Sequence, residues 1–381
     1  MCKTLNHVAE EALYRRVSVG PRLPQLYSFL RSVCESDRRA AAVRALRMQV
    51  PGVTIHSVGS AALQKPASHS TYTPAGFHYS LDPSHMDHLS DMIVRVFGRL
   101  VHLKELTYND LPTIPEVLTC SSFELKELKT TGDGLSKAFQ HLHSQTIADN
   151  YRTMSPLASV EMLSVDLFNP SLHLSDLRLL SVTHLFLDRC FFESLPDLRH
   201  GLPSLPNLLS LRITWSAVHA HYGVAALWPT HILGDVPAPH LRRLEVCEWK
   251  TQRPSVRPIA ADSLSCASLT NALQEPLRTD LVTDVSSHLR RVRDACPSIT
   301  SLVWLPSDYH RFLAAGTASR SQFCEALRAY TEGVFAAWPT LESFERTNLE
   351  ADGAYRKFVR GEGGRVSDVP SQFCEEGWRL I

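Results

Sequence analysis

Leu205-Pro206-Asn207-Leu208-Leu209-Ser210-Leu211-Arg212-Ile213 is the stretch that decides the fold. A proline stands just ahead of an apolar residue, and two more apolar residues follow it at +3 and +5. Alternation at the last two turns them to one side of a short strand, and the first holds the chain as it approaches that strand. Full copies occur at Val160/Leu163/Val165, Val182/Leu185/Leu187, Leu241/Leu244/Val246 and Ile299/Leu302/Trp304. Weaker ones begin at Leu103, Leu125 and Leu341, and Val43/Leu46/Met48 carries the pattern towards the N-terminus. With 44% hydrophobic residues, one match means little. The recurring proline, at Pro206, Pro239, Pro297 and Pro339, is harder to reach by chance, because it ends a helix and extends the chain into a strand.

The pattern is the strand signature of a leucine-rich repeat. Copies lie 22 residues apart at Leu103/Leu125 and Val160/Val182, and 26 apart at Val182/Leu208; the other intervals are longer and hold insertions or degenerate repeats. One unit cannot bury its apolar face alone, whereas stacked neighbours can. The expected fold is α/β: a leucine-rich-repeat-like solenoid with a mainly parallel curved sheet and helices on the outer side. Strands are expected to begin near 104, 126, 161, 183, 209, 242, 300 and 342, with Leu163, Leu185, Leu211, Leu244 and Leu302 buried in one ladder.

Three segments follow. Residues 1–35 form an N-terminal cap, with helices over 4–16 and 22–35 and a strand at Arg16–Gly20 between them. Leu5, Val8, Ala12 and Leu13 share one helical face, and Leu23, Leu26, Leu30 and Val33 another. Residues 36–350 form the solenoid, with a helix over 83–99 and a last helix over 320–337. Two polar, proline-containing insertions fall near 58–82 and 250–264. Residues 351–381, with Gly361-Glu362-Gly363-Gly364, make a C-terminal turn or small cap.

Thirty-nine basic residues balance 39 acidic ones, and no Lys/Arg run makes a phosphate-tracking stripe, which argues against nucleic acid. No stretch approaches the roughly 18 apolar residues of a membrane-spanning helix, and the N-terminus lacks a signal-peptide core. Nine cysteines without a C-x-x-C pair suit reduced thiols, hence cytoplasm or nucleus.

Chemistry finds little footing. His141/His143, His219/His221 and His85/His88 are close pairs without the further ligands that zinc needs. Gly132-Asp133-Gly134 lacks phosphate-loop spacing and reads as a turn after the strand at Leu125. No nucleophile elbow is present. The expectation is no catalytic, cofactor or metal site and no enzyme activity; a site dispersed over loops ranks behind two binding readings.

The working surface expected is the strand face that points away from the stack. It carries Asp166 on one copy, His184, Phe186 and Asp188 on the next, then Arg212 and Thr214, then Arg243 and Glu245, with Trp215 and Trp249 just past strand ends. Arginine and aromatics are frequent binding hot spots.

Cys2-Lys3-Thr4-Leu5-Asn6-His7-Val8-Ala9, followed by Leu13-Tyr14-Arg15-Arg16-Val17-Ser18-Val19, resembles the C-terminal end of an F-box. Fungal F-box proteins often pass from that segment straight into leucine-rich-repeat-like regions. The resemblance covers about seventeen residues and implies the substrate receptor of a cullin-based ubiquitin ligase, with Leu5, Leu13 and Tyr14 on the side of a Skp-type adaptor. The family's L-P-x-E/D start is missing ahead of these residues, so adaptor capture by this chain is expected to be weak or absent. The same three residues can instead serve as capping core. The alternative is a leucine-rich-repeat binding protein with no ligase link. Under either reading the partner is a protein, with neither nucleic acid nor membrane.

Overall fold

The computed structural model describes residues 3–20, 22–48, 83–108, 117–118, 123–145, 156–166, 181–190, 202–215, 238–248, 290–305, 331–336, 338–347 and 355–370. The expected insertions at 58–82 and 250–264 fall outside the described residues, as do Trp249, His219 and His221. Two compact units are present: Met1–Asp166 with Leu179–Val182, and Leu167–Arg178 with Thr183–Ile381.

The first unit opens with helix α1 (Lys3–Arg15), which runs directly into strand β1 (Arg16–Val19). Helix α2 (Leu23–Cys34) follows, with a proline in its first turn, where a missing N–H costs nothing. Leu23, Leu26, Phe29, Leu30 and Val33 recur at helical spacing and are buried. Short helix α3 (Asp37–Ala42) is capped by Ser36, whose hydroxyl accepts from the Arg39 N–H at 3.3 Å. Strand β2 (Ala45–Met48), helix α4 (Pro83–Phe97), strands β3 (Glu105–Tyr108) and β4 (Glu127–Thr131), helix α5 (Gly132–Gln145) and strand β5 (Met162–Asp166) complete it. The five strands pair in chain order, all parallel. Val17, Leu46, Leu106, Leu128 and Leu163 align in one register row, and the last four are buried.

The second unit holds β6 (His184–Cys190), β7 (Ser210–Trp215), β8 (Arg243–Glu248), β9 (Ser301–Leu305) and β10 (Ser343–Thr347), again parallel and in order. Leu185, Leu211, Leu244, Leu302 and Phe344 form its buried row, and each such side chain contributes roughly 1.5–3 kcal/mol by leaving water. Strands β11 (Tyr355–Arg360) and β12 (Val366–Pro370) then depart from the repeat and pair antiparallel with β10 and with each other. Gly363 and Gly364, at φ of 77° and 79°, make the turn between them, a conformation that side chains with a Cβ rarely adopt. The expected tail cap is therefore a hairpin that extends the sheet, with Phe358 placed opposite Phe344.

The repeat is visible in its hydrogen bonds. In copy after copy, one carbonyl accepts two successive N–H groups of the next strand. Arg44 O accepts from Lys104 and Glu105, Lys104 O from Lys126 and Glu127, Leu209 O from Arg242 and Arg243, and Thr300 O from Glu342 and Ser343. Ahead of each strand, the first apolar N–H donates to the carbonyl three residues back. Leu208 donates to Leu205, Leu241 to Ala238, Ile299 to Cys296 and Leu341 to Trp338. The recurring proline is thus the second residue of a tight turn, a position its fixed φ suits. The strands begin one residue later than expected throughout, at 105, 127, 162, 184, 210, 243, 301 and 343.

Candidate protein-binding face

On the second unit, the outward positions fall into lanes that run across the strands. One lane aligns His184, Ser210, Arg243, Ser301 and Ser343. The next aligns Phe186, Arg212, Glu245, Val303 and Glu345, and the antiparallel pairing adds Lys357. Six expected site residues, His184, Phe186, Arg212, Thr214, Arg243 and Glu245, therefore share this face. Asp188 joins them through Thr214, whose hydroxyl donates to its carboxylate.

The lanes differ in access. In the first, His184, Ser210, Arg243, Ser301 and Ser343 are half-buried. The Ser343 hydroxyl donates to Ser301 Oγ at 3.1 Å, and His184 Nδ1 lies 2.8 Å from Thr183 Oγ1. The second lane is shut. Arg212 is 6% exposed and Glu245 1%, and Phe186, Val303 and Glu345 are buried with them. The Arg212 guanidinium carbon sits 4.6 Å from the Phe186 ring centroid, and its Nε lies 3.3 Å from Glu245 Oε2. Arg243 also pairs with Glu245. Further along, Lys357 Nζ is 3.2 Å from Glu345 Oε1.

Phe186, Arg212, Thr214 and Glu245 were expected to face a partner, and their burial corrects that reading. On adjacent strands Phe186, Arg212 and Glu245 lie ring against guanidinium and guanidinium against carboxylate, while Thr214 donates to Asp188. Charge reversal at Arg212 would test the fold, not binding. Trp215 lies inside β7, two positions on from Ile213 and in register with Cys190 and Glu248, not beyond the strand end. Asp166 belongs to the first unit, where it is half-buried opposite Thr131 at the end of β5. Ser301, Ser343, Glu345 and Lys357 were not singled out from the sequence. The first three occupy the same offsets in the copies at Ile299 and Leu341, so the signal was present.

The N-terminal candidates separate. Helix α1 is tied down by Glu10 and Tyr14. Glu10 Oε1 accepts from Arg39 Nε at 2.5 Å, a bond that raises the arginine's pKa. Tyr14 donates to Ser32 Oγ at 3.1 Å, with Arg39 5.5 Å from its ring centroid. Val8 and Leu13 are 63% and 74% exposed. Of the two roles left open for Leu13, adaptor side or capping core, its exposure does not fit the core, and the ion pair of Glu10 and the Tyr14 phenol attach the helix. Leu5 lies in the first turns of α1, and its side chain is outside the described residues.

Gly132-Asp133-Gly134 opens α5 rather than making a free turn, and Thr131 Oγ1 accepts from the Gly134 N–H at 3.2 Å. His141 and His143 fall in α5, while His88 is exposed on α4. Among the described residues no group of three or more His, Cys, Asp or Glu is placed to hold a metal ion. No helix among them is long and apolar enough to cross a membrane.

No protein-family model matches the chain, and a search of curated proteins finds no match either.

Proposed function

We propose that the chain is a protein-interaction module, the substrate-recognition part of an F-box-type ubiquitin-ligase receptor built on leucine-rich-repeat-like units. The observation that carries this reading is α1: in the segment that resembles the end of an F-box, Val8 and Leu13 stand exposed while Glu10 and Tyr14 hold the helix to the unit. A helix serving only as capping core would bury those apolar residues; one serving a partner leaves them free. The substrate side is assigned to the open lane of His184, Ser210, Arg243, Ser301 and Ser343, whose polar groups on a rigid sheet suit contact with another protein.

The test is capture of a purified Skp-type adaptor by the chain, alone and with an L-P-x-E segment placed ahead of Met1. Capture is expected to be weak alone and firm in the extended form, and to be lost with Leu13→Asp. If neither form captures the adaptor, the ligase link fails and a repeat scaffold without it remains.

A further inference from the structure

We propose that the outer edge of β1 is a strand-addition site for an extended segment of another protein, apolar at alternate positions and acidic at its ends. It goes beyond the adaptor reading of α1, with which it shares Leu13, and its test leaves Leu13 untouched. β1 is the terminal strand of its sheet, and among the described residues it pairs only with β2. The Arg15 carbonyl accepts from the Arg44 N–H at 3.0 Å, so Arg15, Val17 and Val19 turn their backbone groups towards β2. In a parallel strand the alternate residues, Arg16 and Ser18, then aim N–H and C=O away from the sheet. An open edge of this kind is a template for a further strand.

What lies beside the edge says what the strand must carry. A groove of about 470 Å³ opens there, lined by Leu13, Tyr14, Val17, Pro24 and Phe29 among others, with no charged residue among the described residues of its wall. Val17 is on the inner side of β1, in the row of Leu46 and Leu106, and is only half-buried, unlike those two. Side chains of neighbouring strands in register point to the same side, so a residue added alongside Val17 is delivered over this groove. Arg15 and Arg22, both exposed, bracket β1 and the start of α2 and favour carboxylates at the ends of the added segment. The contrast is with β12 on the second unit, whose edge carries Asp368 and ends in Pro370, devices that discourage pairing. β1 has no proline and no bulge.

The probe is a synthetic peptide, acetyl-Glu-Val-Thr-Phe-Ser-Val-Glu-amide, titrated into the full chain by calorimetry, with amide hydrogen exchange read on the complex. Saturable binding with new protection at Arg16 and Ser18 is expected. Ser18→Pro, which removes an outward N–H and leaves the β1–β2 ladder alone, should weaken binding at least tenfold. So should lysine at both ends of the peptide. If Ser18→Pro fails to fold, the same loss is expected from N-methylating the peptide at alternate amides, with the protein untouched. The proposal is overturned by absence of binding up to roughly millimolar peptide, or by binding indifferent to N-methylation. It is equally overturned if sedimentation shows a dimer through β1 that excludes the peptide, since the edge would then belong to a second copy.

Discussion

Arg212 and Glu245 occupy neighbouring parallel strands at one register position, Nε 3.3 Å from Oε2, with side chains 7% and 1% exposed. The contact is an ion pair rather than an aligned hydrogen bond. Glu245 is shared, because Arg243 pairs with it from two residues away on β8.

That sharing predicts an asymmetry. Removing Glu245 takes one shared acid from two arginines at once, whereas removing Arg212 leaves Glu245 still paired with Arg243. Glu245→Leu should therefore cost about 3–5 kcal/mol, the range for breaking a buried pair, and Arg212→Leu less. The double substitution should recover part of the loss. Urea unfolding of the three variants checks this; equal costs for the two single changes would mean that Arg243 does not compensate.

Leu211 and Leu13 make a second contrast. Leu211 is fully buried in the row of Leu185 and Leu244, while Leu13 is 74% exposed on α1. Leu211→Ala should cost about 2–5 kcal/mol. Leu13→Ala should stay within about 0.5 kcal/mol, as surface changes usually do. Thermal or urea melts measure both, and a Leu13→Ala as costly as Leu211→Ala would place that side chain in a core.

The sheet was legible because its instruction is local and repeated. Each apolar-x-x-apolar-x-apolar copy with its preceding turn specifies one strand, so eight strand starts were placed to within one residue. The hairpin of β11 and β12 was not, because its pairing breaks the repeat and only Phe358 continues the buried row. Outward alternation correctly grouped Phe186, Arg212 and Glu245. Their burial was not legible, because it depends on which neighbour stands at each register position across strands 26 to 33 residues apart in sequence. Whether Leu13 faces a partner or a core was left open by the sequence for a related reason: helical periodicity groups side chains on a face, but long-range partners such as Arg39 and Ser32 decide which face is buried.

Cys296 should make the second unit more labile in alkali. Its thiol is fully buried, and loss of hydration pushes its pKa from an ordinary 9.0 up to about 12. The unfolded thiol ionises first, so above pH 9 the unfolded state binds fewer protons and stability falls until the folded thiol also ionises. Below pH 9 the contribution is intact. Through that window the slope is on the order of 1.4 kcal/mol per pH unit for a single group. Denaturant unfolding between pH 8 and about pH 11 should show a shallower decline for Cys296→Ala than for the parent. Parallel declines would mean that the thiol reaches water. The parent's Cys296 should also resist thiol reagents at neutral pH, since the thiolate is the reactive form.

Arg360 should hold the terminal hairpin to the repeat before it. It lies at the end of β11, and its guanidinium donates to three carbonyls at once: Phe335 at 2.6 Å, Leu341 at 3.0 Å and Trp338 at 3.1 Å. The Phe335 ring centroid is 5.3 Å from its central carbon. Phe335 belongs to the helical turn at 331–336, and Trp338 and Leu341 close the turn that leads into β10. One planar fork thus reaches three carbonyls at once where a helix ends and a strand begins. Lysine offers a single point of charge and cannot reach all three. Arg360→Lys should therefore fail to restore what Arg360→Ala removes, roughly 1.5–3 kcal/mol for hydrogen bonds to a charged group. The loss should be local: amide exchange ought to quicken in β11 and β12 and in β10 at their boundary, while Leu211 and Leu244 keep parental protection. Exchange quickening uniformly through the second unit would show instead that the hairpin and the repeat unfold as one.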